Sequence, residues 1–291
     1  MQRFWIAVER ASPTLEIGPD DLERHGCAYS ATDVDERVDP GKPGGIFEAH
    51  LHRYRWAHGM VAGAQVLDAG CGEGYGAYLL ASAAAGVLGI DISAPVVAEA
   101  SRRYQHAGLR FAAMDCRRLA IRGAAFDVVV SFEVIEHLQD PHVYLAEISR
   151  ILRRDGVVIL STPNHDIERF HAASPCHVSN PHHTSHFTPR SLTAVLTRHF
   201  QWVQVLGQRL CGHPAMNFLK WLDPWNLRHR LLSPGVKRQA LGSLGLAEPR
   251  AQDFIISCTM IRQSGMLVAV CANGGASIWE ERLAARLRGN V

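Results

Sequence analysis

Two groups of residues in this 291-residue chain have the types and spacings that chemistry requires. The first is VLDAGCGEGYG, residues 66–76, in which Asp68 and four glycines close an apolar run. Gly70, Gly72 and Gly74 remove the β-carbons that keep a ligand off the main chain, and a helix starting near Tyr75 presents free N–H groups to it. Asp91 closes VLGID 21 residues after Gly70, where an acidic side chain reaches the two hydroxyls of a ribose. The second group is histidine-rich: residues 161–200 hold seven of the 16 histidines, directly after an apolar run. Imidazole takes up a proton near neutral pH. Glu133, Glu136 and His137 add an E-x-x-E-H set, which shares one face if helical.

The elements that must position these residues follow from periodicity. Short β-branched runs VLDA, VLGID, RFAAM, FDVVVSF and VVILST alternate with helical stretches. Ser93 stands where it can cap a helix through about Ala107, Tyr144 to Leu152 repeat at helical spacing before an Asp155-Gly156 turn, and Thr188-Pro189 open a further helix. Strand and helix in strict succession give an α/β fold, a doubly wound Rossmann-like parallel sheet covered on both faces. Ligands of such sheets bind beyond the carboxyl ends of the strands, which is where both groups lie. WVQVL (202–206) and MLVAVC (266–271) are two more strands, and a helical insertion over about 207–264 separates them. Its Trp221, Trp225, Leu227 and Leu231 either line a substrate pocket or pack the insertion down. The division expected is an N-terminal extension (1–45), one main domain (46–275) and a C-terminal helix or tail (276–291).

Composition excludes several classes. With 47% apolar and 20% charged residues and a net charge of +2, the chain reads as globular and not as a nucleic-acid specialist. The apolar start of the N-terminus is broken by Glu9 and Arg10, no run reaches the length of a membrane span, and seven cysteines include no C-x-x-C pair. A cytoplasmic protein with reduced thiols is expected.

The glycine loop also fits the dinucleotide pattern G-x-G-x-x-G/A over residues 72–77, so an NAD enzyme competes. Asp68 would repel a pyrophosphate and welcome an amino group. Asp68-x-Gly70-x-Gly72-x-Gly74 resembles the first motif of the class I S-adenosylmethionine-dependent methyltransferases. GIDIS (89–93), MDC (114–116), FDVVVSFEVIEHLQDP (126–141) and EISRILRRDGVVILSTPN (147–164) are similar to later segments of that family, in its order and spacing. The resemblance implies a seven-stranded sheet of order 3-2-1-4-5-7-6 with the last strand antiparallel, and S-adenosyl-L-methionine as cofactor. It implies cofactor-binding roles for Asp68, Gly70, Cys71, Gly72, Gly74, Asp91, Ile92, Asp115, Cys116, Phe132, Glu133 and His137, with Asp115 meeting the adenine amino group. Upstream, His50, Arg53, Tyr54 and Ala57 match a lead-in segment of bacterial glycan-pathway methyltransferases, in which Arg53 or Tyr54 reaches the cofactor's carboxylate or the helix merely packs.

The function expected is O-methylation of a sugar or other small hydroxylated metabolite, with His137, His183 and His186 as catalytic candidates, since a hydroxyl must lose its proton as it attacks. The E-x-x-E-H set with His183 or His186 also resembles the Mg²⁺ or Mn²⁺ site of small-RNA 2'-O-methyltransferases. A site without metal, a small-molecule acceptor, and no nucleic acid are the readings preferred. A scaffold that binds the cofactor without turnover is the alternative from another class.

Overall fold

The β-branched runs pair into one mixed sheet in the computed structural model of the protein, which describes residues 45–172, 182–210, 250–274 and 276–288. Its strands are β1 (Gln65–Ala69), β2 (Gly86–Asp91), β3 (Leu109–Ala113), β4 (Phe126–Phe132), β5 (Leu152–Pro163), β6 (Trp202–Leu210), β7 (Phe254–Ser257) and β8 (Met266–Ala272). They lie in the order β3-β2-β1-β4-β5-β8-β6-β7. The first five pair in parallel, whereas β8 runs antiparallel to β5 and β6. The expected order is therefore present with its last strand antiparallel, and β7 is an additional edge strand.

β7 corrects the expectation of a helical insertion over the whole of 207–264. Gly207–Leu210 prolong β6, and Phe254–Ser257 pair with them, Gly207 opposite Ser257 and Leu210 opposite Phe254. The physical reason is the bare edge of β6: its N–H and C=O groups need partners, and Phe254-Ile255-Ile256 suits a pleated surface. Residues 211–249, with Trp221, Trp225, Leu227 and Leu231, lie outside the described residues, as do residues 1–44.

The helices are α1 (Gly45–His58), α2 (Tyr75–Ala81), α3 (Ala94–Arg103), α4 (Pro141–Ile151), α5 (His165–Ala172), α6 (Pro189–Leu196) and α7 (Ala276–Arg288). Alternate strand residues face opposite layers. Val66, Val128, Val130 and Ile159 pack with Tyr54, Trp56, Leu80, Trp279 and Leu283 of α1, α2 and α7. Leu67, Val129, Val158 and Leu160 pack with Tyr144, Leu145, Ile148, Leu192 and Leu196 of α4 and α6. Each buried side chain of this size contributes about 1.5–3 kcal/mol, and burial on both faces explains why the strands read as nearly continuous apolar runs. None of the described helices is long and apolar enough to cross a membrane.

Helix ends set the loops that carry the site. Thr188 and Ser191 cap α6 reciprocally, Thr188 Oγ1 accepting from Ser191 N at 3.1 Å and Ser191 Oγ accepting from Thr188 N at 2.9 Å. Ser93 stands at the α3 N-cap, but its side chain makes no capping bond; Asp91 Oδ1 accepts its N–H at 2.9 Å instead. α3 ends at Arg103, short of the expected Ala107, because Tyr104 adopts an extended conformation and packs its ring against Tyr78 with centroids 5.1 Å apart. The expected Asp155-Gly156 turn is absorbed in β5, where the register jumps from Phe126↔Leu152 to Val128↔Val157.

Candidate active site

Beyond β1 the chain turns through Gly70, Gly72 and Gly74 at φ of +79°, +49° and +84°. That left-handed region is open to glycine at little cost. A β-carbon on Gly70 would collide with Val134 Cγ2, and one on Gly74 would come within 2.7 Å of Ala100 Cβ. On Gly72 it would meet no protein atom within 4 Å, because Gly72 borders a cavity of about 660 Å³. That volume is typical of a small-molecule or cofactor site.

Of the residues singled out in the sequence, Gly70, Cys71, Gly72, Asp91, Ile92, Asp115, Cys116, Phe132, Glu133, His137 and His183 all line this one cavity. Asp91 ends β2 and accepts from Gly72 N at 3.2 Å and Ser93 N at 2.9 Å. Ile92, 68% exposed, offers an apolar surface beside it. Asp115 grips Arg117 through both oxygens, Nη2 donating to Oδ2 at 2.7 Å, and this hydrogen bond holds its pKa below the usual carboxylate range. Burial pushes the Cys116 thiol up to about 11, so it is not a nucleophile at neutral pH.

Three of the candidates lie outside the lining. Gly74 caps α2 and is packed against Ala100 and Phe111. Asp68 is fully buried and accepts from the Tyr54 hydroxyl at 3.0 and 3.1 Å. Burial pushes its pKa up to about 7, the Tyr54 bond pulling it down and the charge of Asp91 pushing it up. Tyr54 occupies the place at Asp68 that the sequence reading gave to an amino group. His186 lies in the segment that leads into α6, its ring 4.6 Å from that of His165 on α5.

The histidine segment is stitched to the end of β4. Thr184 N and Ser185 N both donate to Glu136 O, at 2.8 and 2.9 Å, and Ser185 Oγ donates to Leu138 O at 2.7 Å. These bonds place His183 edge-on to His137 with ring centroids 5.0 Å apart. Below them Glu136 is buried, which raises its pKa to about 8. The E-x-x-E-H set does not act as one face. Only Ile135–His137 form a turn of 3₁₀ helix, and Glu133 before it has a left-handed φ of +56°. Its carboxylate turns away to Arg53. Among the described residues two other groups can hold an ion: Glu136, His137 and His183, and separately His165, Glu168 and His186.

The sequence singles out His50, Arg53 and Tyr54 without revealing the polar layer that they build with Tyr75 under the cavity. His50 and Tyr75 both line it and are hydrogen-bonded to each other, and His50 Nε2 lies 3.8 Å from Glu133 Oε1. Burial, with Arg53 beside it, depresses the His50 pKa, so the ring is neutral at pH 7. Arg53 is 1% exposed and donates to Gln208 Oε1 at 2.6 Å as well as to Glu133; burial lowers its pKa to about 10, with Tyr75, Glu136 and Tyr54 opposing. Neither Arg53 nor Tyr54 lines the cavity, so α1 supports the site from beneath. The signal was the spacing His50, Arg53, Tyr54, an i, i+3, i+4 face of polar groups on a helix that must pack on the sheet. Asn164 was also passed over; buried, it donates to Ser264 O at 2.9 Å and so ties the end of β5 to the β7–β8 connection.

The profile of the methyltransferase domain family matches residues 67–160, the stretch that carries the glycine loop, Asp91 and the end of β5. The chain belongs to the class I S-adenosylmethionine-dependent methyltransferase family. It is 38% identical over 175 residues, 59% of the chain and 66% of the relative, to a Mycolicibacterium smegmatis protein named "Probable S-adenosylmethionine-dependent methyltransferase". It is 33% identical over 117 residues to a ubiquinone biosynthesis O-methyltransferase of Methylococcus capsulatus, covering 39% of the chain and 49% of the relative. The chain thus spans between about half and two thirds of the length of these curated relatives. In fold it is similar to a Thermotoga maritima S-adenosylmethionine-dependent methyltransferase structure, with TM-score 0.53 and 15% identity over 78% of this chain and 90% of that one.

The cofactor of this methyltransferase family is S-adenosyl-L-methionine, and the residues present fit it. The open space over Gly72 lets a ligand lie on the loop, the Asp91 carboxylate lines the same cavity, and Ile92, Met114 and Leu138 give it apolar surface.

Proposed function

We propose that this protein transfers a methyl group to a hydroxyl of a small acceptor, a sugar or another hydroxylated metabolite. The observation that carries the reading is that one cavity is lined both by Gly70, Gly72, Asp91 and Ile92 and by His137, His182, His183 and Thr184. Bound S-adenosylmethionine supplies an electrophilic methyl group on a positive sulfur. The chain has to hold the acceptor in line with it, and alignment alone can supply much of the acceleration. Asp91 orients the ribose, and Ile92 and Leu138 shield the base. One of the two facing imidazoles, His183 or His137, takes the single proton that the acceptor hydroxyl loses as it attacks. The polar lining on the histidine side suits an acceptor with several hydroxyls, and the likeness to O-methyltransferases over 117 residues is consistent with oxygen as the acceptor atom.

The test is release of S-adenosylhomocysteine with a panel of sugars, nucleotide sugars, phenols and short RNAs. His183→Ala and His137→Ala should each lower turnover by about a hundredfold or more and leave S-adenosylhomocysteine affinity nearly intact, as loss of a general base does. Unchanged turnover in both would leave alignment alone as the mechanism. Tight cofactor binding with no turnover on any acceptor would favour a scaffold.

A further inference from the structure

The strand end after β5 builds a second cluster outside the cofactor cavity. Asn164 bridges to Phe187, and His165 N donates to Phe187 O at 2.9 Å, so the backbone holds His165 and His186 side by side. Glu168, one turn along α5 from His165, completes the group. Its Oε2 lies 3.5 Å from His165 Nδ1 and 3.8 Å from His186 Nδ1, and its Oε1 lies 3.6 Å from His183 Nδ1. One carboxylate among three imidazoles at these separations is poorly satisfied by hydrogen bonds, which weaken beyond about 3.2 Å. The separations match another geometry better. Bonds of ~2.0–2.1 Å to a tetrahedral ion place neighbouring ligand atoms roughly 3.3 Å apart.

We propose that His165, Glu168 and His186 bind one divalent transition-metal ion of the zinc class. Two imidazoles and one carboxylate select zinc, cobalt or nickel over magnesium and calcium, which prefer all-oxygen sets. The three side chains are 30%, 28% and 47% exposed, so an ion has a path in from solvent and water can fill the fourth position. None of the three lines the cofactor cavity, so the ion does not touch the cofactor. Its task is mechanical: it clamps α5 to the segment 182–188, and through the other oxygen of Glu168 it orients His183 toward the cavity. His186 is then a ligand and not the base for methyl transfer. The proposal stands whether or not the acceptor is a hydroxyl.

The experiment uses the full chain, stripped with EDTA and dialysed, titrated with Co²⁺ by visible absorption and with Zn²⁺ by calorimetry. One equivalent should bind with micromolar or tighter affinity and raise the unfolding temperature. Glu168→Gln and His186→Ala, checked for native circular dichroism without metal, should weaken binding at least about tenfold. His137→Ala should bind as wild type does, which separates this site from the Glu136, His137 and His183 group. Should His186→Ala fail to fold, the isosteric Glu168→Gln decides alone. The proposal is overturned by no binding at micromolar metal, by wild-type affinity in folded Glu168→Gln, or by loss of the ion in His137→Ala.

Discussion

Ile92 follows Asp91 and leaves most of its side chain uncovered at the cavity wall, a position at which an apolar residue gains only when something lies on it. Ile92→Ser should therefore weaken S-adenosylhomocysteine binding by about 1–2 kcal/mol, about five- to thirtyfold, with the unfolding temperature unchanged. Calorimetry on the folded variant checks this, and unchanged affinity would take Ile92 off the adenine. Gly70 offers no such clean separation. Its φ of +79° and the nearness of Val134 mean that any side chain there costs stability as well as space, contrary to the left-handed-free backbone that a simple filling experiment needs. At this scale the glycines and Asp91 were legible because their spacing maps directly onto strand ends. The pairing of His50 with Tyr75 at the cavity was not, since nothing in a helical spacing says which sheet end the helix will cover.

At the scale of elements, α1 is fastened to β1 by the buried pair of Tyr54 and Asp68. Asp68 has its pKa raised from 3.8 to about 7, so between these values the folded protein keeps a proton that the unfolded chain has lost. The sign follows by linkage: this stabilising contribution is complete below the unfolded value and is lost as the pH rises through about 7. Asp68→Asn keeps an acceptor for Tyr54 without the titration. Its stability should fall less than that of wild type between pH 5 and pH 8, as measured by urea unfolding at both. An equal slope in the two proteins would mean that Asp68 is ionised in the fold. The short apolar runs made β1, β2 and β4 legible, and the order of the sheet was legible only through the resemblance to the methyltransferase family. β7 was hidden because a four-residue strand carries too little periodicity to be told from a loop, and its pairing depends on where β6 ends.

For the whole molecule, the central claim is that both halves of the sequence signal, the glycine loop and the histidine segment, converge on one cavity that takes S-adenosylmethionine. The convergence was legible from the rule that ligands sit beyond the carboxyl ends of the strands. The shape of the cavity was not, because it depends on hydrogen bonds between residues some fifty apart in sequence, such as those from Thr184 and Ser185 to Glu136. Asp91 joins the halves of the claim, since it both braces Gly72 and lines the cavity. The most direct measurement is a calorimetric titration of S-adenosylhomocysteine, with NADH in parallel, into wild-type protein and Asp91→Ala of native circular dichroism. Wild type should bind S-adenosylhomocysteine and not NADH, and Asp91→Ala should lose about 1–3 kcal/mol of binding, roughly 5- to 150-fold. Binding of NADH in its place, or undiminished S-adenosylhomocysteine affinity in the folded variant, would contradict the account.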